Sequence, residues 1–119
     1  MTAGEAISLV DNLRPNQYDS TLKLKWLNKL DGQIFREVIQ THEGCAVYSP
    51  REDMERELIV PFPYAEDVYC NFLQAMIDKE NGEIGKYNQA ISLFQTAYTR
   101  YCNWYNRTTR PINPGRFLF

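Results

Sequence analysis

The chain has 119 residues, 44% of them hydrophobic and 24% charged, with a net charge of −2; that describes a single domain able to bury about two thirds of the surface its unfolded chain exposes. No run of about 18 apolar residues is available to cross a bilayer, and the opening residues, with Glu5 and Asp11 and no basic leader, are not expected to form a secretory signal. The three cysteines, Cys45, Cys70 and Cys102, follow neither a disulfide framework nor a zinc-knuckle spacing, so they are expected to be reduced and partly buried, as in cytosol.

Ala3, Ala6, Ile7, Val10 and Leu13 recur at three- and four-residue steps and predict a short amphipathic helix, with Thr2 at its cap and Arg14-Pro15-Asn16 at its end. Ser20 is the N-cap candidate of a second helix. Its stripe of Leu22, Trp26, Leu27, Leu30, Ile34, Phe35, Val38 and Ile39 stays in phase for about five turns and ends near Gly44. Gly32 lies inside that stripe, where glycine costs about 1 kcal/mol relative to alanine. Unbroken periodicity on both sides predicts one helix with a close backbone contact at Gly32, and a kink there is the second reading.

Residues 45–64 break the pattern. Ala46-Val47-Tyr48 and Leu58-Ile59-Val60 are β-prone runs separated by a charged, proline-containing stretch, which predicts a long loop or β-hairpin excursion between helices two and three. A projecting tip of that length is a place for partner contacts, and Arg51, Glu52, Asp53 and Glu55 are its candidates; a mobile connector is the alternative. Pro61-Phe62-Pro63-Tyr64 enforces an extended approach to a third helix with Glu66 and Asp67 in its first turn and a stripe of Val68, Tyr69, Phe72, Leu73, Met76 and Ile77. Asn81-Gly82 and Gly85 predict a turn between Glu80 and Asn88, with one long bent helix as the alternative. The fourth helix, running to Asn106, carries Ile91, Phe94, Tyr98, Tyr101 and Tyr105 on one face and Ala90, Leu93, Ala97 and Trp104 on the next. A sector this wide is expected of the central helix of a bundle. The fold class is therefore all-α, a small bundle of about four helices spanning residues 1–107.

An extended C-terminal arm follows over residues 108–119. Two prolines and a glycine exclude further helix. All fifteen acidic residues lie before Arg107, whereas the segment from Arg107 to Phe119 has three arginines and no acid. A basic arm tipped with apolar side chains is expected to dock into an acidic groove, on a second chain in preference to its own domain. Its candidate anchors are Arg107, Thr108, Arg110, Ile112, Arg116, Phe117, Leu118 and Phe119.

Chemistry is sparse. The single histidine, His42, has no nucleophile near it in sequence and reads as a helix-end residue. Asp78, Glu80 and Glu83 alternate with Lys79 and Lys86 as a solvated surface, and Asn81-Gly82-Glu83-Ile84-Gly85-Lys86 is not a phosphate loop, since it follows a helix and contains an acid. No catalytic, cofactor or metal-binding residue is assigned, and an enzyme is not expected. Lys23, Lys25 and Lys29 are scattered around the second helix, a poor footprint for nucleic acid. At least half of the eight tyrosines are expected in the core, the others at interfaces.

The string Leu58-Ile-Val-Pro-Phe-Pro-Tyr64, followed by Ala75-Met-Ile-Asp78, Asn81-Gly-Glu83, Tyr87-Asn88, Phe94-Gln-Thr-Ala-Tyr98 and Trp104-Tyr-Asn-Arg-Thr108, resembles the small neck proteins of tailed bacteriophages. Ile7-Ser-Leu-Val-Asp-Asn-Leu-Arg-Pro-Asn16 and Lys25-Trp-Leu-Asn-Lys-Leu-Asp-Gly32 are similar too, so the resemblance covers most of residues 5–111, by order and spacing with no catalytic signature. It implies a head-tail connector, or adaptor, in the virion neck. Made in the host cytoplasm, such a subunit assembles as a homo-oligomeric ring, twelvefold by the family pattern, beneath the portal protein. The ring joins the portal to a stopper or tail-completion protein and extends a channel through which DNA passes without specific binding or any membrane. The resemblance also implies docking on the portal through a C-terminal extension. Arg107 and Thr108 fall within the resembling string, while the docking role of residues 109–119 comes from charge and apolarity. Two other readings stay open: a stopper or tail terminator, which is expected to hold more β-structure, and a helical nucleic-acid-binding or regulatory module.

Overall fold

Thr2 starts the first helix as its sequence predicts, its hydroxyl accepting the Glu5 N–H at 3.2 Å. In the computed structural model, which describes residues 1–39 and 54–108, α1 is Ala3–Leu13, α2 is Ser20–Ile34, α3 is Ala65–Glu80 and α4 is Ile84–Thr108. There is no strand among the described residues, and none of their helices is long and apolar enough to cross a membrane.

On α1, Ala3, Ala6, Ile7 and Val10 are buried as the period predicts, whereas Leu13 turns out to solvent at 61% exposure. The first N–H groups of a helix have no partner within it. Here the returning chain supplies two: Ala3 N–H donates to the Arg56 carbonyl at 3.0 Å and Gly4 N–H to the Met54 carbonyl at 2.7 Å. A Cβ on Gly4 would lie 3.0 Å from that Met54 oxygen, so glycine permits the close approach.

Helix α2 begins one residue earlier than its sequence signal. Asp19 is the N-cap, its carboxylate accepting the Thr21 N–H, and Ser20 is the first helical residue. The helix passes through buried Gly32 without a break, then widens into a π-helical turn over Phe35–Ile39. Its expected end near Gly44 lies outside the described residues. Leu22, placed on the core stripe by its period, is 37% exposed, while Lys23 is buried and its ammonium bonds the Asp11 carboxylate at 2.6 Å, tying α2 to α1.

In the described half of the excursion, residues 54–64, the β-prone run is not a strand. Glu57 makes an isolated antiparallel bridge with Thr2, and Leu58 and Val60 drop their side chains into the core. Ala46-Val47-Tyr48, the expected pairing partner, lies outside the described residues. Asn81 and Gly82, the latter at φ +74°, end α3 where the sequence predicts, and α4 starts directly after.

The layering corrects one expectation. The central helix is α3, which touches α1, α2 and α4 and buries Val68, Tyr69, Leu73 and Ile77. Helix α4 packs extensively on α3 alone and fully buries only Ala90, Ala97 and Tyr101. Its wide apolar sector misleads because Phe94, Tyr98, Trp104 and Tyr105 are half-buried against the core and Leu93 is 52% exposed. The helix also runs two residues past Asn106, so Arg107 and Thr108 are helical rather than part of an extended arm. The Thr108 hydroxyl donates to the Trp104 carbonyl at 2.9 Å, completing that last turn.

Candidate partner-binding surface

At 25 residues against 16, α4 outruns α3 by nine residues, or about 13 Å at 1.5 Å per residue. The overhang carries an aromatic shelf. The Trp104 ring lies 5.4 Å from Tyr64, and Tyr101 lies 6.3 Å from Tyr64 and 5.9 Å from Tyr105. Tyr101 is fully buried and its hydroxyl is pushed up by that burial, whereas Tyr64, Trp104 and Tyr105 are half-exposed. Arg107 and Thr108 are exposed just beyond them. Phe62, two residues before Tyr64, is 90% exposed. Half-wet aromatic rings of this kind are typical of contact surfaces. The sequence carried a signal for Phe62 in the Pro61-Phe62-Pro63 bracket, which prevents the ring from folding into a helix face.

Of the remaining arm candidates, Arg110, Ile112, Arg116, Phe117, Leu118 and Phe119 lie outside the described residues. So do Arg51, Glu52 and Asp53 of the excursion tip, as well as His42 and Cys45. Glu55 is described and exposed. Arg107 and Thr108 end α4, whereas Glu55 lies on the returning chain that meets the start of α1.

Arg56, the residue after Glu55, joins a buried network that pattern alone did not single out. Asp31, 0% exposed, accepts the Tyr69 hydroxyl at 2.6 Å on Oδ1, and Arg56 Nη1 at 2.9 Å and the Ile59 N–H at 3.3 Å on Oδ2. Arg56 Nη2 donates to Asn28 at 2.6 Å, and the Tyr69 hydroxyl in turn accepts the Val60 N–H at 2.8 Å. Residues 56–60 are thereby clamped onto α2 and α3. Burial pushes the Asp31 carboxyl above its ordinary range, against the pull of Tyr69 and Arg56, and the Tyr69 hydroxyl rises well above 10.0 through burial and then the Asp31 charge. A signal for Asp31 does exist: it sits four residues after Leu27 and three before Ile34, in phase with the buried stripe.

The acids at the end of α3 need correcting. Asp78 is not solvated but 1% exposed, its Oδ1 accepting Arg14 Nη1 at 2.8 Å, and burial raises its carboxyl while Arg14 opposes the rise. Its partner comes from the end of α1, 64 residues away in sequence, so neighbouring residues could not announce it. Asp78, Arg14, Gln74, Asn81 and Lys86 line an open cleft of about 530 Å³, at whose rim Lys86 and Glu83 form an exposed pair at 3.5 Å, as the solvated reading expects.

Cys70 is buried and its thiol is pushed up to about 12, and burial also raises the half-buried Cys102. Neither has the lowered pKa of a reactive thiol. Among the described residues no group of three His, Cys, Asp or Glu side chains is placed to hold a metal ion.

Set against known proteins, the chain matches no family model, no curated protein and no solved structure.

Proposed function

We propose that the chain is a structural head-tail connector of a tailed-bacteriophage neck, a ring subunit that docks on a portal through its C-terminal arm and links the portal to a stopper or tail. The observation that carries this reading is the ordered run of motifs from Leu58 to Thr108, which resembles neck proteins and here coincides with the end of the excursion, α3 and α4. Two structural facts support it. The described residues are helical without strands, as expected of an adaptor rather than of a stopper or tail terminator. Helix α4 also ends with exposed Arg107 and Thr108 beside the half-exposed rings of Tyr64, Trp104 and Tyr105, a composition that supports a contact surface there.

The test is cryo-electron microscopy of the full chain mixed with portal rings of the same phage, beside a variant lacking residues 109–119. Added density in the portal's symmetry is expected at its tail-facing end, with arms running onto the portal; the truncated chain should keep its circular dichroism and melting temperature and lose attachment. Bare portals with the full chain would move the protein out of this role, and a collapsed melting temperature in the truncated chain would place the arm on its own bundle.

A further inference from the structure

Phe62 is the most exposed large apolar side chain among the described residues, at 90%. It lies two residues before Tyr64, whose ring is 5.4 Å from Trp104, and Pro61 and Pro63 on either side are exposed with it. Together with half-exposed Tyr64, Trp104 and Tyr105 it presents a run of aromatic surface to solvent, and contiguous apolar surface marks a binding site. Beside Tyr64 a pocket of about 180 Å³ opens between α3 and α4, lined by Pro63, Tyr64, Asp67, Ala97 and Arg100. Glu66 and Asp67 follow Tyr64, are exposed, and form no ion pair among the described residues.

We propose that in the free chain its own arm folds back and seats Phe117 and Phe119 on the shelf of Phe62, Tyr64 and Trp104. Helix α4 ends at Thr108, one turn beyond Trp104, so the chain continues from the edge of the shelf. Phe117 stands nine residues beyond Thr108, a span of up to about 30 Å, which reaches every ring of the shelf. The sequence also supplies the reversal: Asn113-Pro114-Gly115-Arg116 has proline and glycine at the second and third positions, the pattern of a type II β-turn, directly before Phe117-Leu118-Phe119. Arg110 and Arg116, in a segment without acid, suit Glu66 and Asp67 at the shelf's border. Tethering selects the chain's own arm over a second copy's, because a short linker holds it at an effective concentration in the millimolar range. On the neck reading a portal would take the arm from this waiting position and uncover the shelf, but the inference concerns the free chain and stands without that reading.

The test is acrylamide quenching of tryptophan fluorescence in the full chain, beside a Phe117→Ser/Phe119→Ser variant and a Phe62→Ser variant. Trp26, 9% exposed, supplies the same protected signal throughout, so differences report Trp104. Phe62 is exposed and Phe117 and Phe119 lie beyond α4, so both variants should keep the parent's helical spectrum and melting temperature. Both are expected to lose protection of Trp104, while the parent's protection should be independent of dilution. A peptide of residues 109–119 should restore protection to the Phe117→Ser/Phe119→Ser variant, and only at millimolar concentration. The inference is overturned if either variant is quenched like the parent, if the peptide restores nothing, or if the parent's protection disappears on dilution, which would give the shelf to a second copy's arm. Portal attachment does not enter this measurement, so the neck assignment stands or falls separately.

Discussion

Helices α3 and α4 lie side by side with similar apolar patterns, yet they stand in opposite relations to the core. Helix α3 is wrapped by three neighbours and exposes only charged side chains, while α4 leans mainly on α3, with one bond from Tyr98 to Glu37, and exposes a surface nearly free of charge. The difference teaches that the width of an apolar stripe does not report depth of burial. Aromatic side chains are long enough to reach the core from a peripheral helix, so Phe72 on α3 and Phe94 on α4 meet at 5.4 Å although α4 lies outermost.

The contrast breaks most severely where α3 is tied to the rest of the fold. Arg56→Ala leaves Asp31 buried and without its cation, and should cost about 3–5 kcal/mol in chemical denaturation, enough to unfold a marginal domain. An unfolding free energy within about 1 kcal/mol of the parent's would mean that water reaches Asp31 in solution. A paired truncation reads the two helices directly. Leu73→Ala on α3 should cost about 2–5 kcal/mol, whereas Leu93→Ala on α4 should stay within about 0.5 kcal/mol. Equal losses would show that Leu93 is covered, for instance by a second copy at the concentration used.

Alkaline pH sharpens the same comparison. The Cys70 thiol keeps its proton to about 12 in the folded chain but begins to lose it near 9.0 when unfolded. Between those values the unfolded state binds fewer protons, so stability is intact below pH 9 and falls as pH rises towards 12. Tyr69 on α3 and Tyr98 and Tyr101 on α4, all raised first by burial, add to the fall in the same direction. Denaturant midpoints across this range should fall less in a Cys70→Ala variant than in the parent, and an identical decline would remove Cys70 as a cause.

By contrast, much of the local structure needed no tertiary information. The Thr2 cap, the stop at Arg14-Pro15-Asn16 and the Asn81-Gly82 turn are legible because each depends on residues within one helical turn of it. Residues 58–60 were not, since their β-prone side chains found a place in a helical core instead of a sheet. The candidate surface was half legible. Arg107 and Glu55 are exposed as a sequence reading expects, but the shelf around Trp104 exists only because Tyr64 arrives from before α3.

What the sequence by itself determined is the helical class, the phase of the α1 and α3 stripes and the separation of charge along the chain, because periodicity, capping and composition are local properties. Tertiary structure alone decided that α3 rather than α4 is central, that Asp31 and Asp78 are buried against arginines from distant segments, and that α4 keeps an open face. Each of these depends on which element lies next to which, and for Arg56 and Asp31, or Arg14 and Asp78, the charge that stabilises a buried group stands 25 or 64 residues away in sequence.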